Sequence, residues 1–332
     1  MKKHIMSVII LTASVIVFPA LSGRLNRAES EKTEITEYAV TDDEKDGFSE
    51  PYRVLDVSTG EIYEVPVREY VIGAVCAEMP SSFHSEALKA QAVASHTYAE
   101  RQRMREKKSP TAELCGADFS NDTSKYQGYY TEEQARQVFG ADFEKSYKRI
   151  SEITDDVLDN IIVYNDEPVI AAFHSMSSGE TESAENVWGT AVDYLLPVDS
   201  GYDTGAPRYT DEVRYSREIL QNKLETAFPD ILLDENFPSW LNVADVSPSG
   251  TVLTAIVGNT TATGMEIRNA LALRSPCFEI RYEGDEAVIT TKGYGHGVGM
   301  SQYGANCMAA EGKTWKEILM HYYTGCEIKT IG

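Results

Sequence analysis

Segments with helical spacing and segments with strand-like alternation are interspersed along this chain without a regular βαβ rhythm, which predicts an α+β fold. Capping-box spacing at Thr263-x-x-Glu266 and Thr314-x-x-Glu317 supports that class, because it marks helix starts within and after a region dominated by strand formers. The folded-type sequence begins near Tyr52 and runs to the end, about 280 residues, enough for one large domain or two closely packed ones.

The chain opens Met1-Lys2-Lys3-His4 and then runs seventeen residues, Ile5 to Leu21, without a charge. A basic flank before an apolar run predicts an export signal or a membrane anchor over 1–22, with the N-terminus inside and the remainder outside the cytoplasmic membrane. Small residues at Ala20-Leu21-Ser22 leave open whether the segment is cleaved. Glu29 to Glu50 holds nine acids against two lysines and few large apolar side chains, so 23–51 reads as a disordered acidic tether and 52–332 as the folded body. A net charge of −22 argues against nucleic acid and anionic lipid as partners. Five cysteines (Cys76, Cys115, Cys277, Cys307, Cys326), with no CxxC pair, exclude a disulfide framework and a standard zinc ribbon. One bridge remains possible, and the spacing does not select it.

Within the body, Val54–Val57 and Ile62–Val65 around Ser58-Thr59-Gly60 predict a hairpin. Val67 to Ala77 has helical spacing and stops before Pro80. Ser85 is the expected cap of a second helix, with Glu86 in its first turn and a basic run from Arg101 to Lys108 near its end. Ala87, Ala90, Gln91, Ala94 and Tyr98 would share one closely packed face. Ile161–Tyr164 and Val169–Phe173 read as strands around an Asn165–Pro168 turn. Leu241 to Thr291 reads mainly as strands with one short helix. Ser301 caps a turn reaching Ala310, Gly312 ends it, and Thr314 opens a last helix ending at Gly325.

Three stretches carry candidate chemistry. In Ala77-Glu78-Met79-Pro80, Glu78 follows a nearly apolar run where Pro80 forces the helix to stop. Partial desolvation there favours a protonated carboxyl suited to general acid work, whereas position alone favours an ordinary capping carboxylate. Phe173 to Thr181, continuing to Trp188-Gly189 and Tyr194-Leu195, crowds serines, a Trp and a Tyr. It reads either as a sugar-binding groove, with Ser175, Ser177, Trp188 and Tyr194 on its walls, or as a turn-rich loop with a buried Trp188. In Gly293 to Ala305, alternate glycines allow close backbone approach. The segment has neither phosphate-loop nor dinucleotide spacing. Its His296 is a catalytic base, a metal ligand or a structural donor, and the last of these is favoured when it is taken alone.

Together these segments resemble the stage II sporulation protein D family, peptidoglycan lytic transglycosylases of endospore-forming bacteria. The matching motifs are Ala-Glu-Met-Pro with Glu-Ala-Leu-Lys-Ala-Gln-Ala, Glu-Asn-Val-Trp-Gly, and Gly-His-Gly-Val-Gly-Met-Ser-Gln-Tyr-Gly-Ala. The resemblance implies that Glu78 is the catalytic acid cleaving denuded glycan strands to 1,6-anhydro-N-acetylmuramic acid ends during forespore engulfment. It implies a substrate groove including His96, Ser175, Ser177, Trp188, Tyr194, His296, Ser301, Gln302 and Tyr303. It also implies stage II sporulation proteins P (an amidase) and M as partners, and a place between the mother-cell and forespore membranes. No cofactor is expected. The chain departs from the family at His96, where Arg is usual, and at Leu196, where Lys is frequent. Some members have zinc ligands within the segment corresponding to 118–127, where this chain reads Ser124-Lys125-Tyr126-Gln127, so no metal is carried over. The alternative reading is a glycan-binding module that stimulates a partner amidase without cutting.

Overall fold

The computed structural model describes residues 50–331. The expected membrane segment, 1–22, and the acidic tether through residue 49 lie outside the described residues. Among the described residues no helix is long and apolar enough to cross a membrane.

The body begins with the expected hairpin of β1 (Tyr52–Leu55) and β2 (Ile62–Val65), paired from Tyr52↔Val65 to Leu55↔Ile62. Gly60, at φ +78°, closes its turn by donating to the Asp56 carbonyl. Helix α1 (Val67–Glu78) starts after Pro66 and ends because Met79 is extended and Pro80 follows. Helix α2 (Ser85–Lys108) is the axis of the body. Its cap is His84, whose Nδ1 accepts from the Glu86 amide at 3.3 Å, so the expected cap Ser85 is instead the first helical residue. The small-residue face also proves wider than the spacing suggested. From Ala87 to Thr97 every residue except Lys89 is buried, because α2 is enclosed on all sides.

Around α2 lie the expected strand near Ile161–Tyr164 and several elements that the sequence reading did not single out. Strand β3 (Phe119–Ser120) adds parallel to β1. Helix α3 (Glu132–Phe139), with a Thr131/Gln134 capping box, leads into α4 (Phe143–Asp155), which packs on α1 and α2. Strand β4 (Asn160–Tyr164) turns at Asn165-Asp166, both at positive φ, into β5 (Glu167–Pro168). The strand expected over Val169–Phe173 is not formed. Pro168 has no amide, Arg101 takes its carbonyl at 2.7 Å, and the chain leaves the ladder after Val169. Only Phe173–His174 regains strand geometry, as β6. A short helix, α5 (Ala184–Trp188), follows, capped by Ser183.

At Thr210 the chain leaves the body. Strand β7 (Thr210–Ser216), α6 (Arg217–Ala227), β8 (Leu241–Val246), β9 (Val252–Val257), β10 (Thr260–Ala262), α7 (Gly264–Leu271), β11 (Phe278–Glu283) and β12 (Glu286–Lys292) form an insert. Its sheets are ordered β11-β12-β7 and β10-β9-β8. They enclose a second core that includes Leu220, Leu224, Trp240, Leu241, Ile267 and Ile289. The outgoing and returning strands are neighbours, with Thr210 opposite Lys292. The expected Thr263/Glu266 capping box is present at α7.

The returning chain forms β13 (Met300–Ser301), α8 (Gln302–Ala310), α9 (Trp315–Tyr322) and β14 (Glu327–Thr330). Ser301 caps α8 and Thr314/Glu317 box α9, as expected. Strand β14 lies against β4 on the side away from β5. Helices and strands are thus mixed as an α+β fold requires. All five cysteines are free thiols.

Candidate functional site

Two of the three chemistry-bearing stretches meet directly. Strand β13 pairs in parallel with β6, Tyr294 bridges Met176, and Val298 bridges Glu182. The glycines make this approach possible. A Cβ on Gly299, at φ +73°, would lie 2.1 Å from the Ala172 carbonyl oxygen, and one on Gly293, at φ +76°, would lie 2.7 Å from that of Ser177.

Asp203 ties the crossing together from beneath. Its Oδ2 accepts from the Ser177 amide (2.8 Å), the Ser177 hydroxyl (2.6 Å) and Ser200 (2.9 Å), and its Oδ1 accepts from Ser301 (2.8 Å). Ser301 in turn accepts from the Gly304 amide to start α8, and Ser200 meets the Tyr322 hydroxyl at 2.9 Å. Ser177 and Ser301, expected as sugar ligands, are therefore buried with their hydroxyls engaged inside the protein.

The two histidines hold the main-chain N–H and C=O of one residue, Val298. His296 Nδ1 accepts from the Val298 amide at 3.0 Å, while His174 Nδ1 lies 3.1 Å from the Val298 carbonyl and donates to it. An imidazole nitrogen that accepts an amide carries no proton, so His296 is neutral, with its Nε2 proton directed to the Phe173 carbonyl. Burial above all, then the nearby His174 and Arg268, hold its pKa well below the usual histidine range. Burial also lowers His174, opposed by Asp203 and the Val298 carbonyl. The Nε2 of His174 is enclosed without a hydrogen-bond partner. The Trp188 ring stands 5.7 Å from that of His296. Of the three roles open to His296, this geometry is that of a structural donor.

Glu182 joins this crossing to the insert. Its Oε1 accepts from the Ser183 amide (2.7 Å) and Asn186 (2.9 Å), and its Oε2 accepts from Ser247 (2.5 Å) and from Ser249. Burial pushes this carboxyl up, but the hydrogen bonds outweigh it and hold the group below its ordinary range. Beside it lies a small pocket of about 10 Å³, bounded by Ser178, Glu180, Cys277 and Lys292, with room for about one water molecule.

Glu78 is the last residue of α1 and is half-buried. Burial, with the Glu78 charge as a lesser cause, pushes the Tyr70 and Tyr98 hydroxyls up, so the carboxylate stands within electrostatic reach of both. The Tyr98 hydroxyl accepts from the Gln127 amide nitrogen of the main chain at 3.3 Å. The Tyr70 hydroxyl and both side-chain polar atoms of Gln127 are enclosed without hydrogen bonds. The loop after Glu78 is held rigidly. Arg149 of α4 donates to the Ser81 and Phe83 carbonyls, and Asn306 of α8 accepts from the His84 amide. Gln302 donates to Gln91 at 3.3 Å, which connects the glycine segment to α2 and hence to the helix following Glu78. Glu86 accepts from the Trp315 amide at the start of α9 (2.8 Å), so it serves two helix N-termini.

The remaining expected residues divide between surface and interior. Ser175 and Tyr303 are partly exposed neighbours, the Tyr303 amide donating to the Ser175 carbonyl. Leu196 is exposed. Tyr194 is buried against Tyr164, and its hydroxyl accepts from the Ile170 amide at 2.8 Å. His96 is buried on α2, its Nε2 3.6 Å from Glu100. Glu100 also binds Tyr52 and Arg103, both at 2.6 Å. Burial raises the Glu100 carboxyl, but His96, Tyr52 and Arg103 together hold it down at about 2. Sequence reasoning missed Asp203, Glu182 and Arg268. Each stands among turn or helix residues with nothing local to mark it as buried.

An α+β body crossed by a glycine segment, with a carboxyl at a helix end and a strand-bounded insert, is the class of protein defined here. The family model described as "Stage II sporulation protein" matches residues 56–164. The chain is 34% identical over 326 residues to "Stage II sporulation protein D" of Bacillus subtilis (strain 168), covering 97% of this chain and 92% of that protein. It is also 34% identical to the Bacillus amyloliquefaciens protein of the same name, covering 96% and 92%. The "Amidase enhancer" of Bacillus subtilis is 26% identical, over 76% of this chain and 39% of that protein. The chain belongs to the stage II sporulation protein D family.

Proposed function

We propose that this protein is a peptidoglycan lytic transglycosylase that cleaves denuded glycan strands during forespore engulfment, with Glu78 as its acid. The observation that carries the reading is the position of Glu78: half-buried at a helix end, within electrostatic reach of two protonated tyrosines, just before a loop clamped by Arg149 and Asn306. A carboxyl so placed is fixed in space and partly desolvated, as a general acid must be.

In the proposed reaction Glu78 gives its proton to the glycosidic oxygen as the bond to C1 of N-acetylmuramic acid breaks. The C6 hydroxyl of the same sugar closes onto C1 and returns its proton to Glu78, leaving a 1,6-anhydro end. The internal hydroxyl replaces water, so one carboxyl serves where hydrolysis needs two at a set separation. Export and anchoring through residues 1–22, and action beside stage II sporulation proteins P and M between the two forespore membranes, complete the proposal.

Similarity to a protein named for enhancing an amidase supports a second reading, a glycan-holding module that stimulates that partner. Histidine where Arg is usual at position 96, and Leu196 where Lys is frequent, favour it. Glu78→Gln separates the two. It preserves size but removes the transferable proton, so release of anhydro-muropeptides should fall about 10²–10⁴-fold while glycan binding persists. Unchanged release would sink the assignment of Glu78. A wild-type protein that binds glycan, releases no anhydro product and accelerates the amidase would establish the second reading.

A further inference from the structure

Arg268 on α7 is 6% exposed, and no carboxylate of a described residue lies within 4 Å of it, whereas its neighbour Arg274 has Asp211 at 4.0 Å. Its Nε donates to the Arg274 carbonyl at 3.3 Å, and its terminal nitrogens donate to no protein group among the described residues. Those nitrogens are not among the enclosed polar atoms, so the tip of the guanidinium still reaches solvent. Withdrawing most of a cation from water without a counter-ion is costly, and an anion reaching the exposed tip would offset that cost.

The surroundings belong to both halves of the molecule. The Arg274 guanidinium lies over the Tyr294 ring, 4.5 Å from its centre, and its Nη1 donates to the Arg208 carbonyl at 2.6 Å. The Arg274 carbonyl also accepts from the Gly295 amide, which fixes α7 and its following turn against the glycine segment. Arg268 is close enough to His296 for its charge to depress that ring's pKa, and burial lowers Arg268 itself. In a chain of net charge −22, two arginines thus converge on the glycine segment, Arg274 on Tyr294 and Arg268 beside Tyr294 and His296.

We infer that Arg268, supported by Arg274 stacked on Tyr294, is a carboxylate subsite that receives the lactyl group of N-acetylmuramic acid where the insert meets the body. This rests on the glycan reading above. Denuded strands carry one anionic group per disaccharide, the lactyl carboxylate, and a planar guanidinium fork matches a carboxylate in two parallel hydrogen bonds. In stem-bearing strands that carboxyl is an amide, and the remaining carboxylates lie on the peptide. The insert therefore selects strands already stripped of peptide, while the body supplies the acid.

The test measures binding of the full-length protein to three probes: denuded glycan strands, the same strands with lactyl carboxyls reduced to alcohols, and stem-bearing strands. Wild type should bind denuded strands at least about tenfold tighter than either of the others, the usual scale of a charge-assisted contact. Arg268→Gln should abolish that preference without weakening binding to reduced strands, at unchanged melting temperature. If Arg268→Gln does not fold, the wild-type preference and its loss at high salt decide. Equal wild-type affinity for denuded and reduced strands overturns the subsite and leaves the glycan reading standing. Equal affinity for stem-bearing and denuded strands overturns the lactyl assignment. Binding to none of the three overturns the glycan reading and the subsite with it.

Discussion

The insert and the glycine crossing use their polar groups in opposite ways. In the insert, hydrogen bonds run mainly along antiparallel ladders, irregular only between Val243 and Val246, and the second core is built from side chains within 210–292. At the crossing, few ladder bonds exist, and buried side chains take their place: Asp203 gathers three serines, two histidines hold the main chain of Val298, and Glu182 reaches the insert. The contrast teaches that a regular sheet spreads its stability over many replaceable contacts, whereas an irregular junction concentrates it in a few side chains.

Asp203→Ala should show the largest effect. It leaves the buried hydroxyls of Ser177, Ser200 and Ser301 without their acceptor, at about 1–3 kcal/mol each, so loss of more than about 4 kcal/mol or failure to fold is expected. Denaturant unfolding measures this, and a change below about 1 kcal/mol would mean that the crossing is as redundant as a sheet. Leu224→Ala, in the second core, should cost about 3 kcal/mol. Its sharper signature is regional: amide exchange should accelerate across 210–292 while α2 keeps its protection. Equal acceleration in α2 would merge the two cores into one cooperative unit. The smallest effect belongs to Thr263→Ala, which removes one half of a capping box and should cost about 1 kcal/mol, confined to α7. A cost as large as that of Leu224→Ala would show that the box also supports the Arg268 subsite.

The same contrast decides what the sequence could reveal. Local chemistry wrote the hairpin at Gly60, the three helix starts at Thr263, Ser301 and Thr314, and the end of α1 before Pro80, and all of these are legible. The cap of α2 fell on His84 rather than Ser85 because a ring nitrogen was in reach of the Glu86 amide. Helices α3, α4 and α6 are short, with many charges between their apolar positions, and they passed unnoticed. The site is harder to read than the fold. The motifs around Glu78, Trp188 and His296 stand out in the sequence, but Asp203 becomes a hub only through residues up to ninety-eight positions away. Arg268 looks like any charged helix residue until the second core closes beside it.

The last strand carries a consequence for time rather than space. Strand β14 completes the sheet on β4 with residues 327–330, and α8 and α9 close two sides of α2 only after the whole insert has been made. A chain emerging from its N-terminus therefore presents α2, its most enclosed helix, long before the partners that cover it exist. The insert, whose core lies within one continuous stretch, can fold first, and the body must wait for residues 302–330. Until residues 327–330 have been made, the body around Glu78 stands on an unfinished scaffold.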